Sequence, residues 1–397
     1  CPASLKYYLM PVSQKFSIPS LDIKSFSPEI PEHLFDKYRE VNRLIIIGNG
    51  FDIAHGLKSS YQDFIHDYCI QVITHLVHRL EYKDSFLEIS APASFSDASS
   101  YVLKLTGEQA LEQLMKLEQH SSGIKVLWKS DFFFNTLKEV YLKKWVDIEI
   151  LYYSHLKNLV SKKKEKEIEL LNQSFDYLQE LTTKYLLKIS NELKIKFDNG
   201  IQEQFEDKIQ MRDCESGTIE IDMNPSSTCI LNFNYTQIAQ HYLEFFEKSD
   251  WQHISIHGQL DGDNIIKQSP IFGYGDELDQ GYKDFEAGPN DLTLKHLKSF
   301  KYLEFSNYRR LLEFIEAKPY QIQIFGHSCG LSDRTLLNTV FENSNCISIK
   351  SFYHKWENGD DFVQRGYAIS RTFKSKASLR AKVVNKEFCQ PMSQPRI

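Results

Sequence analysis

No apolar run in the 397 residues approaches the roughly 20 that a bilayer-spanning helix needs. No membrane-crossing segment is therefore expected. The N-terminus lacks the charged-then-apolar order of a secretory signal. It opens on Cys1 rather than Met, as a processed chain or a piece of a longer reading frame would. A cytoplasmic location is the expectation. Paired cysteines are also missing. The seven cysteines (Cys1, Cys69, Cys214, Cys229, Cys329, Cys346 and Cys389) are scattered, and none forms a Cys-x-x-Cys pair. A zinc module needs close ligand pairs, and disulfide frameworks belong to small secreted chains. Reduced, mostly buried thiols and no metal are expected. A basic excess is absent too: 47 Lys and Arg stand against 53 Asp and Glu, a net charge of -6. That argues against a broad nucleic-acid-binding face. There is no internal repeat.

What remains is the composition of an ordinary globular chain, 42% hydrophobic and 25% charged. Its length calls for two domains, or for one domain with a large insertion. Residues 1–42 contain Pro2, Pro11, Pro19, Pro28 and Pro31 without a sustained apolar period, and read as a poorly ordered extension. Periodic structure starts at Arg43. Leu44-Ile45-Ile46-Ile47 suits a strand buried on both faces. Ser60 and Asp63 form a capping box ahead of Tyr61, Phe64, Ile65, Tyr68, Val72, Ile73 and Leu76 at helical spacing. Strand, glycine turn and helix open a Rossmann-type unit.

From there to about Asn224 the chain reads as mainly helical. Leu111, Leu114, Met115 and Leu117 mark one helix, and Phe132 to Leu193 contains no Pro or Gly. Lys162 to Glu167 is a solvated face or a junction between helices. Strands are then expected at Thr228–Asn232, His253–Ile256, Gln321–Phe325 and Ile347–Phe352, and helices at Ile238–Phe246 and Leu336–Phe341. One amphipathic helix is expected over Phe362–Leu379. This βα rhythm belongs to a mostly parallel sheet. The fold class is therefore α/β, a Rossmann-like sheet with a large helical insertion. Residues 43–69 and 225–397 form the nucleotide-binding domain, and 70–224 form the insertion.

The strongest local signal is Gly48-Asn49-Gly50-Phe51-Asp52-Ile53-Ala54-His55-Gly56-Leu57. Two glycines after a buried strand let the backbone approach a ligand, and a helix N-terminus behind them offers N–H groups to a phosphate. The same residues suit a tight turn into a helix, because the third glycine of the dinucleotide fingerprint is absent.

Arg43 through Phe64 resembles the opening signature of the AbiH family of bacterial abortive-infection proteins. So do Phe233-Asn234-Tyr235-Thr236, Ile256-His257-Gly258, Ile271 to Asp276, Phe325 to Ser328 with Leu331 to Asp333, and the closing Arg380–Cys389 segment. The resemblance runs from Arg43 to the C-terminus. The order of motifs is also distantly similar to the SIR2-like superfamily, which binds NAD. That resemblance implies an Asn at the nicotinamide ribose, here Asn234, and a general base, here His257. It implies a cofactor-binding set of Gly48, Asn49, Gly50, Phe51, Asp52, His55 and Gly56 at the first strand end. Tyr235, Gly258, Gly326, His327, Ser328 and Asp333 complete the set. Thr236 replaces the superfamily's acidic residue and its zinc-binding cysteine pairs are missing, so hydrolysis of NAD is implied rather than deacylation.

The residue types suit that reaction. Glycosidic cleavage passes through a cation-like sugar and needs a polar amide and a base that works near neutral pH. The implied protein defends against phage by binding and hydrolysing NAD. Its phage trigger is not identified by the sequence, and homo-oligomers are allowed. The alternative is a non-catalytic nucleotide-sensing or protein-interaction module in the same defence. Taken singly, His257 also suits a turn and Asn234 an Asx-turn.

Gly326-His327-Ser328-Cys329-Gly330 spells a nucleophile elbow. An acid and then a histidine must follow it, and only Asp333 or Glu342 with His354 are available. A turn around a cofactor ribose is the preferred reading. Trp145 is expected in a core. Asp147 and Glu149, about 200° apart if helical, are expected at the surface. Asp276 and Glu277 are expected at a strand end lining a cleft.

Overall fold

The computed structural model describes residues 39–395, apart from 94, 96–104, 121–122, 145, 193, 216–217, 246–247, 249, 261–265 and 269. The expected extension falls almost wholly on residues 1–38, outside the described residues, as does Trp145.

Five strands build the central sheet: β1 (Asn42–Ile47), β2 (Thr228–Asn232), β3 (Gln252–Ser255), β4 (Tyr320–Phe325) and β5 (Cys346–Phe352). Their spatial order is β5-β4-β1-β2-β3, and every pairing is parallel. The chain starts in the middle, fills one side, then crosses to the other. That is the Rossmann order, with its topological switch point between β1 and β4.

β1 is fully buried because both faces are covered. Leu44 and Ile46 pack with Leu311, Ile315, Leu337 and Val340, from helices Asn307–Ala317 and Arg334–Phe341. Ile45 and Ile47 pack with Ile201, Phe205, Ile238 and Tyr242, from helices Asn199–Glu206 and Ile238–Phe245. Alternating side chains on one strand thus feed two separate cores.

Between β1 and β2 lies a helical layer: α1 (Asn49–Ala54), α2 (Tyr61–Arg79), α3 (Gly107–His120), α4 (Asp131–Lys143), α5 (Ile148–Ser161) and α6 (Glu165–Glu192). The capping box of α2 is present, with Ser60 and Asp63 bonded reciprocally. The layer has its own core, in which Phe86 stacks on Phe133 with ring centroids 3.8 Å apart. Phe272, Tyr274, Tyr282, Phe285 and Leu297 join that core. The long β3–β4 connection therefore pins the helical layer over the end of the sheet.

Three expectations are corrected. The stretch read as mainly helical also contains a three-stranded antiparallel sheet, Glu81–Lys83, Leu87–Ser90 and Lys125–Trp128. Leu80 stops α2 in a left-handed conformation, and Asp84 turns the chain by accepting the N–H groups of Phe86 and Leu87. The Pro- and Gly-free stretch is helical as expected, in three helices broken near Lys144 and Lys163, both at positive φ. The Lys162–Glu167 run is the exposed junction of α5 and α6. The C-terminal helix is two, Phe362–Thr372 and Lys376–Lys382, because Phe373 turns extended to bury its ring. Tyr274 makes only an isolated bridge to Leu297, so Asp276 does not end a strand.

Candidate functional site

The parallel register puts the carboxyl ends of the strands level. Ile47 lies opposite both Asn232 and Phe325, and Asn232 opposite Ser255. The residues that follow, Gly48, Asn234, His257 and Gly326, therefore reach one rim. There they line a cleft of about 350 Å³, within the usual range for small-molecule sites.

At the switch point two loops touch through their backbones. Gly48 N–H donates to Phe325 O at 3.0 Å and Gly50 N–H to Gly326 O at 2.8 Å. A Cβ on Gly50 would lie 2.8 Å from Gly326 O. One on Gly326, at φ +66, would lie 2.1 Å from Phe51 N. These glycines serve first to let the loops meet. The contact also uses N–H groups that the sequence offered to a phosphate. Gly50 is spent on Gly326, and Phe51 donates to Gly48 O at 2.8 Å. α1 is only six residues long, so the phosphate-cradling role expected of it is not available to those two groups.

Asp52, on α1, is buried beneath this loop. It accepts Asn234 Nδ2 and Thr236 Oγ1, each at 2.7 Å. Burial pushes its carboxyl up to about 7, although both hydrogen bonds oppose the rise. Asn234 Nδ2 also donates to Gly48 O at 3.1 Å. Both amide hydrogens are thus spent on acceptors, which fixes the amide's orientation and leaves Oδ1 as its acceptor.

The opposite wall carries a buried charge network. Lys298 Nζ lies 2.9 Å from Glu149 Oε2 and 2.7 Å from Asp333 Oδ1. Glu149 Oε1 accepts the Gly273 N–H at 3.0 Å. His257 Nε2 stands 3.2 Å from Asp333 Oδ1 and 3.2 Å from Tyr302 Oη. His327 Nε2 is 3.6 Å from Asp333 Oδ2, while its Nδ1 accepts the Cys329 N–H at 3.0 Å. Burial would raise the Asp333 carboxyl, but the Lys298 ammonium and His257 hold it well below the usual range. Burial opposes charge on Lys298, yet Asp333 and Glu149 raise its pKa. Glu149 and Asp147 are raised by burial. His257 is lowered, by burial and then by Lys298.

Among the sequence-predicted residues, Gly48, Asn49, Gly50, Asp52, Asn234, Tyr235, His257, Gly326, His327, Ser328 and Asp333 line this cleft. Phe51 and His55 sit in the sheet core instead. His55 Nδ1 bonds Phe51 O and its Nε2 bonds Tyr242 Oη, each at 2.7 Å. Gly56 and Gly258, at φ of +84 and +83, are not among the residues lining the cleft.

The expected surface placement of Asp147 and Glu149 is overturned, since both line the cleft and Glu149 is buried. Asp147 is the N-cap of α5, accepting Ile150 N–H at 3.0 Å, so the helical angle between the two does not apply. Asp276 is buried against Arg334 at 3.1 Å, and Glu277 lines a smaller cavity nearby. Lys298, Tyr61, Thr182, Leu186 and Phe272 also line the cleft, although none was named as a site residue from the sequence. The Asp147-Ile-Glu start of α5 was the one local signal, as an N-cap motif.

The nucleophile-elbow reading fails on geometry. The positive φ values fall on Gly326 and Cys329, not on Ser328, and His354, exposed just past the carboxyl end of β5, is not among the residues lining the cleft. Among the described residues no group of three or more His, Cys, Asp or Glu side chains is arranged to hold a metal. No described helix is long and apolar enough to cross a membrane.

A comparison with protein families matches residues 44–354 to bacteriophage abortive infection AbiH. The match stops short of the Arg380–Cys389 segment. No curated protein matches the chain.

Proposed function

This chain belongs to the AbiH family of bacteriophage abortive-infection proteins, and from that premise we propose that its sheet-end cleft binds NAD and hydrolyses it. The observation that carries the reading is the meeting of Asn234 and His257 in one cleft beside the β1–β4 switch point, where open α/β sheets bind ligands. The cleft volume of about 350 Å³ accommodates a nucleotide portion of such a ligand.

NAD supplies a glycosidic bond whose nicotinamide leaves as a neutral group, so the protein needs little acid assistance. Asn234 Oδ1, the amide's remaining acceptor, holds a ribose hydroxyl or the attacking water. Neutral His257 takes the proton from that water as it bonds to C1′. The carboxylates of Asp147 and Glu149 line the same wall and favour positive charge building on the sugar. Tyr235 and Phe272, stacked with centroids 4.8 Å apart, give a planar surface for a base.

The test is incubation of purified protein with NAD, with and without lysate of phage-infected cells, and quantification of released nicotinamide. Release supports hydrolysis. NAD binding without release under either condition identifies the non-catalytic, nucleotide-sensing alternative.

A further inference from the structure

We infer that Asp333 is a positioning residue that fixes His257 with its proton on Nε2, leaving Nδ1 as the ring's basic atom. The use made of Nδ1 rests on the hydrolysis reading above, whereas the tautomer does not.

Asp333 Oδ1 is held by the Lys298 ammonium at 2.7 Å, so the carboxylate stays ionised and can only accept. His257 Nε2 faces that oxygen at 3.2 Å. A bare Nε2 would set its lone pair against an anionic oxygen. A protonated Nε2 donates to it instead. Tyr302 Oη, 3.2 Å from the same nitrogen, does not change the assignment, because a hydroxyl accepts as readily as it donates. The ring is also near Lys298, Glu149 from α5, Tyr235 with its centroid 6.3 Å away, and Phe233, whose ring meets it edge-on at 5.1 Å.

His327 provides the contrast within the same site. Its Nδ1 accepts a backbone N–H, which places its proton on Nε2, toward Asp333 Oδ2. Both of its nitrogens are engaged, so it buttresses Asp333 and offers no base. One carboxylate thus orients two imidazoles, and only His257 keeps a nitrogen for chemistry. This is the logic by which a buried acid sets a catalytic histidine's tautomer.

The test is NMR of the full chain carrying 15N-labelled histidine, with His257 assigned by loss of its signal in His257→Gln. The wild type is expected to show His257 with a protonated Nε2 and a bare Nδ1. In Asp333→Asn the Nδ1–H form is expected to grow at least severalfold. His296, which lies beside Asp176, is expected to stay unchanged as the folding control. In the nicotinamide-release assay Asp333→Asn is expected to lower kcat about a hundredfold or more, with KM within about twofold. A wild-type His257 carrying its proton on Nδ1, or a tautomer unmoved by Asp333→Asn, overturns the inference. Absence of any turnover in the wild type instead refutes hydrolysis and leaves the NMR result to decide Asp333.

Discussion

Replacing Asp52 with asparagine should remove a pH dependence of folding stability. Asp52 is buried and its carboxyl titrates near 7 in the fold, against an ordinary value of 3.8. A raised acid pKa means that the folded state holds a proton the unfolded chain has released. Stability therefore falls as pH climbs from about 4 to about 7. Three units at 1.36 kcal/mol each make the full effect about 4 kcal/mol. Between pH 5 and pH 8 the same linkage leaves about 2–3 kcal/mol. The protonated acid can donate to Thr236 Oγ1, so the contacts with Asn234 and Thr236 survive below the transition. The amide of the Asp52→Asn variant would keep them too, accepting from Asn234 and donating to Thr236. Urea unfolding at pH 5 and pH 8 checks this. The wild type should lose about 2–3 kcal/mol more than Asp52→Asn across that interval. Equal losses in the two proteins would show that Asp52 is ionised in the fold at pH 5, refuting the burial argument.

Other perturbations test other parts of the site. Gly326→Ala forces a side chain into positive φ and against Phe51 N, and should cost about 2 kcal/mol or more. A melting curve that matches the wild type would remove the loop-contact argument. Lys298→Met leaves Glu149 and Asp333 facing each other without a cation. It should destabilise by about 3–5 kcal/mol, read by chemical denaturation at neutral pH. Ser328→Ala alters an exposed side chain and should leave stability within about 0.5 kcal/mol and nicotinamide release nearly intact. Abolished activity in a folded Ser328→Ala protein would revive the nucleophile reading.

Much of the sheet was legible because its strands are buried on both faces and read as short continuous apolar runs. Thr228–Asn232 matches the strand bounds, and Leu44–Ile47 and Gln321–Phe325 fall within a residue or two of them. The shared rim followed, since residues just past the ends of parallel, level strands must meet. Shorter elements were hidden. Leu87 and Ile89 alternate over only four residues, too few to be told from a helical segment. The break after Thr372 depends on where Phe373 finds space in the core, which no local pattern encodes. Lys298 was illegible for a related reason. A lysine is ordinarily a surface residue, and only tertiary contact with Glu149 and Asp333, 149 and 35 positions away, buries it. Glu149 was misplaced because Asp147 was read as inside a helix it in fact caps.

Cleavage of NAD in the Asn234–His257 cleft is tested by the rate of nicotinamide release from the wild type, Asn234→Ala and His257→Ala side by side. Circular dichroism serves as the folding control. Measurable release by the wild type and about a hundredfold loss or more in each variant are expected. Release by both folded variants at the wild-type rate would contradict it.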